Sequence, residues 1–290
     1  MYSHLNAIIH HSPFMIDTSH NLHQLIEFDN KYRLLLDVPP LKTITYHGDH
    51  GLTLEGEIVD TLTEDIQSYD RPIIQLYDDN IGNYHLYLDN GEVRYCTNLH
   101  SINRSTIILT EMILVSCYWS WLHPISCIFG VNSVGQWLIC DTLNDHQVNS
   151  IIPDAPFPEV DEIILIRDNV ILTIDRILVV QLIYVNKVAE YHLTEYNSLS
   201  DSRIVDAIWL DSEGLDNELM VLTDDRQLYR FHHHDGKCLI QRIDHSLSLT
   251  KFVSIHNHHR PNILTEDNRV YKIKKNLSLV ELRELNQLFK

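Results

Sequence analysis

Nineteen histidines occur in 290 residues, and two short runs concentrate them: FHHHDGK at 231–237 and HNHHRP at 256–261. Neutral imidazole nitrogens are ligands for zinc and copper, so these runs are the first place to look for metal chemistry. Successive side chains on a strand point to opposite faces. Within the first run only His232 and His234 can therefore face one side, and these two are the candidate metal ligands. A metal site needs three or four converging groups. A run of adjacent histidines that enters the turn-forming pair Asp235-Gly236 also reads as a solvated loop, and the sequence calls for no metal and no other cofactor.

A second concentration is aromatic. In SCYWSWLHP, 116–124, Trp119 and Trp121 share one strand face and Tyr118 takes the other. Trp119 and Trp121 are the candidate interaction residues, because tryptophan is enriched at binding hot spots. Packing between sheets is the alternative use of so much apolar area. No catalytic residue is singled out: the chain has no G-x-S-x-G elbow, no P-loop, no H-E-x-x-H and no G-x-G-x-x-G. Acidic pairs such as Asp78-Asp79 and Asp224-Asp225 suit turns. With 40 acidic side chains, no pair stands out as glycosidase carboxylates.

Charge narrows the partners. The 40 acidic residues face 22 basic ones, a formal net charge of −18. Such a surface repels nucleic-acid phosphates and anionic membranes, so neither is an expected direct partner. The five cysteines, odd in number and without a CxxC pair, read as reduced thiols of an intracellular protein, cytoplasmic or nuclear. No apolar run reaches transmembrane length, and MYSHLNAIIHHSPFM lacks the basic and apolar regions of a secretory signal.

The elements that must carry these residues are strands. Short runs of Val, Ile, Leu and Tyr are split by Asp, Asn, Gly and His. Two stretches, 59–68 and 281–289, are the best helix candidates. The segment LTDDRQLYRF, 222–231, serves as a hairpin template: a strand, a polar turn, a returning strand. Its pattern recurs near 16–25, 52–60, 87–96, 131–140, 171–180, 221–231 and 263–273. The apolar residues just after each turn are Leu22, Ile58, Val93, Trp137, Leu178, Leu228 and Val270, spaced by 36, 35, 44, 41, 50 and 42 residues. Strand-rich repeats of that length are the mark of propeller blades. An apolar strand precedes every hairpin except the first. The LSLVEL part of 276–289 is expected to supply that missing strand, which would close the ring with both termini and leave no open edge. The alternative is a short amphipathic helix from Leu279 to Phe289. The expected fold is all-β: one seven-bladed β-propeller domain spanning 1–290.

Four segments carry a resemblance to a known family. They are ITYHGDHGLTLEGEIV (44–59), IIQLYDDNIGNYHLYLDNGEVRYC (73–96), IVDAIWLDSEGLDNELMVLTDDRQLYRF (204–231) and FVSIHNHHRPNILTEDNRVYKI (252–273). Each resembles the repeat of RCC1-like (regulator of chromosome condensation type) propellers, with Gly48, Asp49 and His50 where that family approaches its hairpin. The chain departs from the family in holding nine glycines, and YRFH, YKIK and RYCT stand where the family repeat closes on Trp-Gly.

A rigid ring displaying loops implies a non-enzymatic protein–protein interaction scaffold, whose acidic surface favours basic or histone-like partners. The family resemblance implies an alternative, guanine-nucleotide exchange on a Ran-type small GTPase. A propeller hydrolase or lyase with convergent groups at the channel is a third class.

Overall fold

The computed structural model describes residues 10–11, 14–16, 20–26, 31–34, 38–45, 49–78, 83–120, 125–142, 145–167, 169–185, 188–196, 202–210, 218–234, 237–253, 262–274 and 276–283. These fall into seven consecutive sheets, antiparallel throughout except for one parallel edge pair in the fifth. Every sheet has a central hairpin: Phe14–Ile16 with Leu22–Ile26, His50–Thr53 with Ile58–Asp60, Tyr84–Leu88 with Val93–Cys96, Ile125–Asn132 with Trp137–Asp141, Val170–Thr173 with Ile177–Val185, Glu218–Thr223 with Leu228–His234, and Asn262–Thr265 with Val270–Ile273.

The turns explain why these hairpins form. In the sixth sheet Thr223 Oγ1 accepts the backbone N–H of Gln227 at 3.2 Å and donates to the Asp225 carboxylate. In the seventh, Thr265 Oγ1 accepts from Arg269 N at 3.1 Å and donates to Asp267 Oδ1 at 2.6 Å. The fifth repeats the device with Thr173, Arg176 and Asp175. The last loop residue sits at positive φ, +67° for Arg226 and +60° for Asn268, and the second sheet uses Gly56 there at +87°. A type I turn followed by a left-handed residue matches the twist of the flanking strands. At Gly56 a side chain would also meet the Ile73 backbone at 2.8 Å.

Burial grades across each sheet. The second strand is buried along its whole length in His50–Thr53, Tyr84–Leu88, Val170–Thr173, Glu218–Thr223 and Asn262–Thr265. The outer strands are largely exposed, as in Gln147–Ser150 and Ile66–Gln67. A strand buried on both faces needs a neighbouring sheet on each side, which is why these strands read as continuous apolar runs.

The chain divides into two compact units, one of residues 1–112 with 253–256 and 283–290, the other of 113–252 with 257–282. In the first, Leu52, Ile58 and Ile73 pack with Leu86 and Leu88, joining the second and third sheets. In the second unit, Phe129 and Trp137 pack with Ile171 and Leu178, Val179 with Leu219 and Phe231, and Leu222 with Phe252 and Ile263. Each large side chain so buried contributes about 1.5–3 kcal/mol. Asp206 adds a polar tie within this unit: its Oδ1 accepts from Arg167 at 2.9 Å and its Oδ2 from Phe252 N at 2.7 Å. Burial pushes the Asp206 carboxyl up, and the Arg167 guanidinium opposes that.

Three expectations are corrected. The expected seven-bladed β-propeller is not what forms: the all-β propeller has six regular blades. Six sheets are blades of the four-stranded kind, whereas the fifth has five strands because Ile152–Pro153 adds parallel to Val188–Tyr196. Proline is tolerated there because an edge strand does not need every N–H. The ring closed by N- and C-terminal segments also fails as drawn. Leu279–Glu281 pairs with Val270–Ile273 inside the last sheet, and the first sheet takes all four strands from residues between His10 and Leu34. The hairpin register decides this, since a chain leaving Ile273 through a tight turn meets its own neighbour first. Finally, 59–68 is no helix: Ile58–Asp60 turns back into Ile66–Gln67. Of 281–289, Glu281 ends a strand, and 284–289 lie outside the described residues. Among the described residues no helix is long and apolar enough to cross a membrane.

Candidate functional site

The hairpins present chemistry at both ends. At the turn ends of the sixth and seventh sheets Asp224, Asp225, Glu266 and Asp267 are all exposed. Two of these carboxylates are locked by the Thr223 and Thr265 hydroxyls. The two turns are neighbours, because Arg226 reaches from one to pair with Glu266 of the other and contacts Ser248 Oγ at 3.3 Å. Arg269 pairs with Asp267 at 2.8 Å. Glu266 and Asp267 are thus paired with guanidinium groups, while Asp224 and Asp225 add two further exposed carboxylates to the turns. In the other unit the turns of the second and third sheets carry Glu55 with Glu57 and Asp89 with Glu92.

The open ends are different. In the second sheet the first residue of one strand, His50, sits directly opposite the last residue of the next, Asp60. His100 follows the capping Asn98 in the short 3-10 helix Leu99–Arg104 and lies edge-to-face on His50, ring centroids 5.6 Å apart. One ligand atom from each of His50, Asp60 and His100 lies within 4.8 Å of the others. Asp60 Oδ1 accepts the backbone N–H groups of Leu62 at 2.8 Å and Thr63 at 2.9 Å. Burial pushes the Asp60 carboxyl up, but those two bonds and the imidazoles outweigh it and hold it below the usual value. His50 Nε2 is buried without a hydrogen bond, while Nδ1 is 3.3 Å from Asp49 Oδ2. That contact holds the Asp49 carboxyl well below the ordinary carboxylate range.

The sixth sheet has the same open-end geometry with the roles exchanged. Glu218 opposes His232 across the hairpin, and His232 Nδ1 lies 3.5 Å from Glu218 Oε1. Arg230 pairs with this buried carboxylate. His232 therefore belongs to a structural ion-pair group. His234 continues the same strand, backbone-paired with Lys237, and its side chain lies outside the described residues. Trp119 lies in the strand Met112–Ser120, with its side chain likewise outside them, as is the whole of Trp121. The Cys96 and Cys140 thiols are pushed by burial up to about 11 and about 12, too high for a nucleophile at neutral pH.

Sequence reasoning missed the His50–Asp60–His100 cluster. Its first two members are equidistant from the turn at Glu55, so counting outward along the hairpin register pairs them. His100 comes from the next sheet, and no local pattern announces it.

Comparison with solved structures gives the fold class. The chain is similar to YCF48 from Cyanidioschyzon merolae (TM-score 0.55, 9% identity, 82% of each chain covered). It is similar to the β-propeller domain of Cps50 (Swd1) from Myceliophteria thermophila (TM-score 0.55, 8% identity, covering 95% of this chain and 94% of that one). It also matches a complex of KlAtg21 with the coiled coil of AgAtg16 (TM-score 0.57, 13% identity, covering 95% and 98%). Together with the sheet topology these matches establish a β-propeller fold. No family model matches the chain, RCC1-like repeats included, and no curated protein matches it in sequence.

Proposed function

We propose that this propeller is a non-enzymatic interaction scaffold whose acidic hairpin turns receive a basic segment of a protein partner. The observation that carries this reading is the set of four exposed carboxylates at Asp224, Asp225, Glu266 and Asp267, two of them fixed by threonine hydroxyls and all on turns bridged by Arg226. Fixed charges on rigid turns cost little to organise on binding, and they steer a cationic partner before contact. The chain's −18 net charge acts in the same sense over longer range. One structural neighbour was solved with a coiled coil bound, which supports a protein partner for a ring of this kind.

The test is fluorescence anisotropy with a Lys/Arg-rich peptide and its Glu-substituted counterpart, titrated with the full chain. The proposal expects saturable binding of the basic peptide that weakens about tenfold or more as salt rises from low to physiological strength, with no binding of the acidic one. Equal binding of both peptides, or of neither, contradicts it.

A further inference from the structure

The cluster at the open end of the second hairpin has the composition of a transition-metal site, and it is independent of the acidic turns. His50 is 8% exposed, yet its Nε2 is buried without a hydrogen bond, while Nδ1 faces the Asp49 carboxylate at 3.3 Å. A buried polar atom left so costs about 1–3 kcal/mol and asks for an explanation, of which a bound ion is one. The surroundings supply the rest. Asp60 Oδ1 is engaged by two backbone N–H groups, which leaves lone pairs on the carboxylate for a cation. The Asp49 carboxylate stands beside Nδ1 of His50, the arrangement in which a metal-binding imidazole is oriented by an outer carboxylate and offers its other nitrogen. The Gln67 side-chain amide lies 2.9 Å from His100 Nδ1. Turned with its oxygen inward it accepts Nδ1–H and leaves the His100 Nε2 lone pair available.

We infer that His50, Asp60 and His100 form a binding site for a divalent transition ion of the zinc type, with Asp49 and Gln67 orienting the two imidazoles. Two imidazoles and a carboxylate are donors of borderline softness, suited to zinc, cobalt, nickel or copper rather than to calcium or magnesium. Ligand atoms about a tetrahedral zinc stand about 3.4 Å apart, given bonds of 2.0–2.1 Å. The present atoms all lie within 4.8 Å of one another, so a contraction of at most about 1.4 Å is asked for, and His100, exposed on a short 3-10 helix, is the group placed to make it. The ion would tie the second sheet to the helix of the third, within one compact unit. A fourth position would be left to water or to an incoming ligand.

The experiment is a Co2+ titration of the chelator-treated full chain, followed by the visible ligand-field bands and then by displacement with Zn2+. His100→Ala removes an exposed ligand. Asp60→Asn keeps the Oδ1 acceptor for Leu62 and Thr63. Far-UV circular dichroism and metal-free Tm verify that both variants fold. The inference expects one Co2+ per chain at micromolar concentration, displaced by Zn2+. Each of the two substitutions should lower affinity at least about tenfold, since even outer-shell losses cost that much, while His232→Ala leaves it unchanged. Absence of stoichiometric binding, indifference of the affinity to either His100→Ala or Asp60→Asn, or an equal loss in His232→Ala overturns it.

Discussion

Two hairpins carry a histidine opposite a carboxylate at the same open end, and they use the pair differently. In the second sheet His50 faces Asp60, and the nearby groups are another imidazole, a second carboxylate and two backbone N–H donors. In the sixth sheet His232 faces Glu218, and Arg230 neutralises the carboxylate directly. The guanidinium makes the difference. A cation already in place closes the site to another, so the sixth-sheet pair is part of the fold. Where no side-chain cation is paired with the carboxylate among the described contacts, as at Asp60, the same cross-strand pair can recruit one.

Arg230→Met breaks the comparison hardest. It strands Glu218, which is 3% exposed, and removing one partner of a buried ion pair costs about 3–5 kcal/mol. Urea unfolding should show that loss, and Arg230→Met combined with Glu218→Leu should recover most of it. The Asp60 pair has no such dependence on a cationic side chain.

Next comes the turn that both halves share in principle. Thr223→Val removes the hydroxyl that satisfies Gln227 N and holds Asp225. The expected cost is about 1–3 kcal/mol for a buried donor left unpaired, read from the same unfolding curves.

A pH series sharpens the contrast further. Asp49 has a folded pKa below its ordinary 3.8, so the stability it contributes is fully present above that value and is lost as the pH falls through the lowered one. Asp49→Asn should flatten the acid limb of a stability–pH curve and leave the slope near neutrality unchanged. The smallest effect belongs to the sequence's own metal candidate. His232→Ala should cost about 1 kcal/mol or less, since its contact with Glu218 is 3.5 Å long and the histidine is partly exposed.

What could be read from the sequence was what local physics encodes. The turns LTDD and LTED announce themselves because Thr, Asp and a left-handed residue must fall at fixed offsets, and the strands they join are the buried second and the third of their sheets. The all-β propeller class followed from their recurrence. Non-local pairings were not legible. Leu279–Glu281 completes the last sheet rather than the first, and the parallel edge at Ile152–Pro153 depends on a strand some 40 residues away, His192 and Leu193. The cluster at the open end of the second hairpin was hidden for the same reason. Three adjacent histidines at 232–234 draw the eye, whereas His50, Asp60 and His100 converge only through register and sheet stacking.

The central claim is that the turn ends of these hairpins are a charged surface for a partner while the open ends serve the fold or an ion. The direct measurement is stopped-flow association of a Lys/Arg-rich peptide with a variant carrying Asp224→Asn, Asp225→Asn, Glu266→Gln and Asp267→Asn, substitutions that keep the oxygens bonded to Thr223 and Thr265. The account predicts an association rate lowered about tenfold or more at low salt with Tm essentially unchanged. An unaltered rate would contradict it.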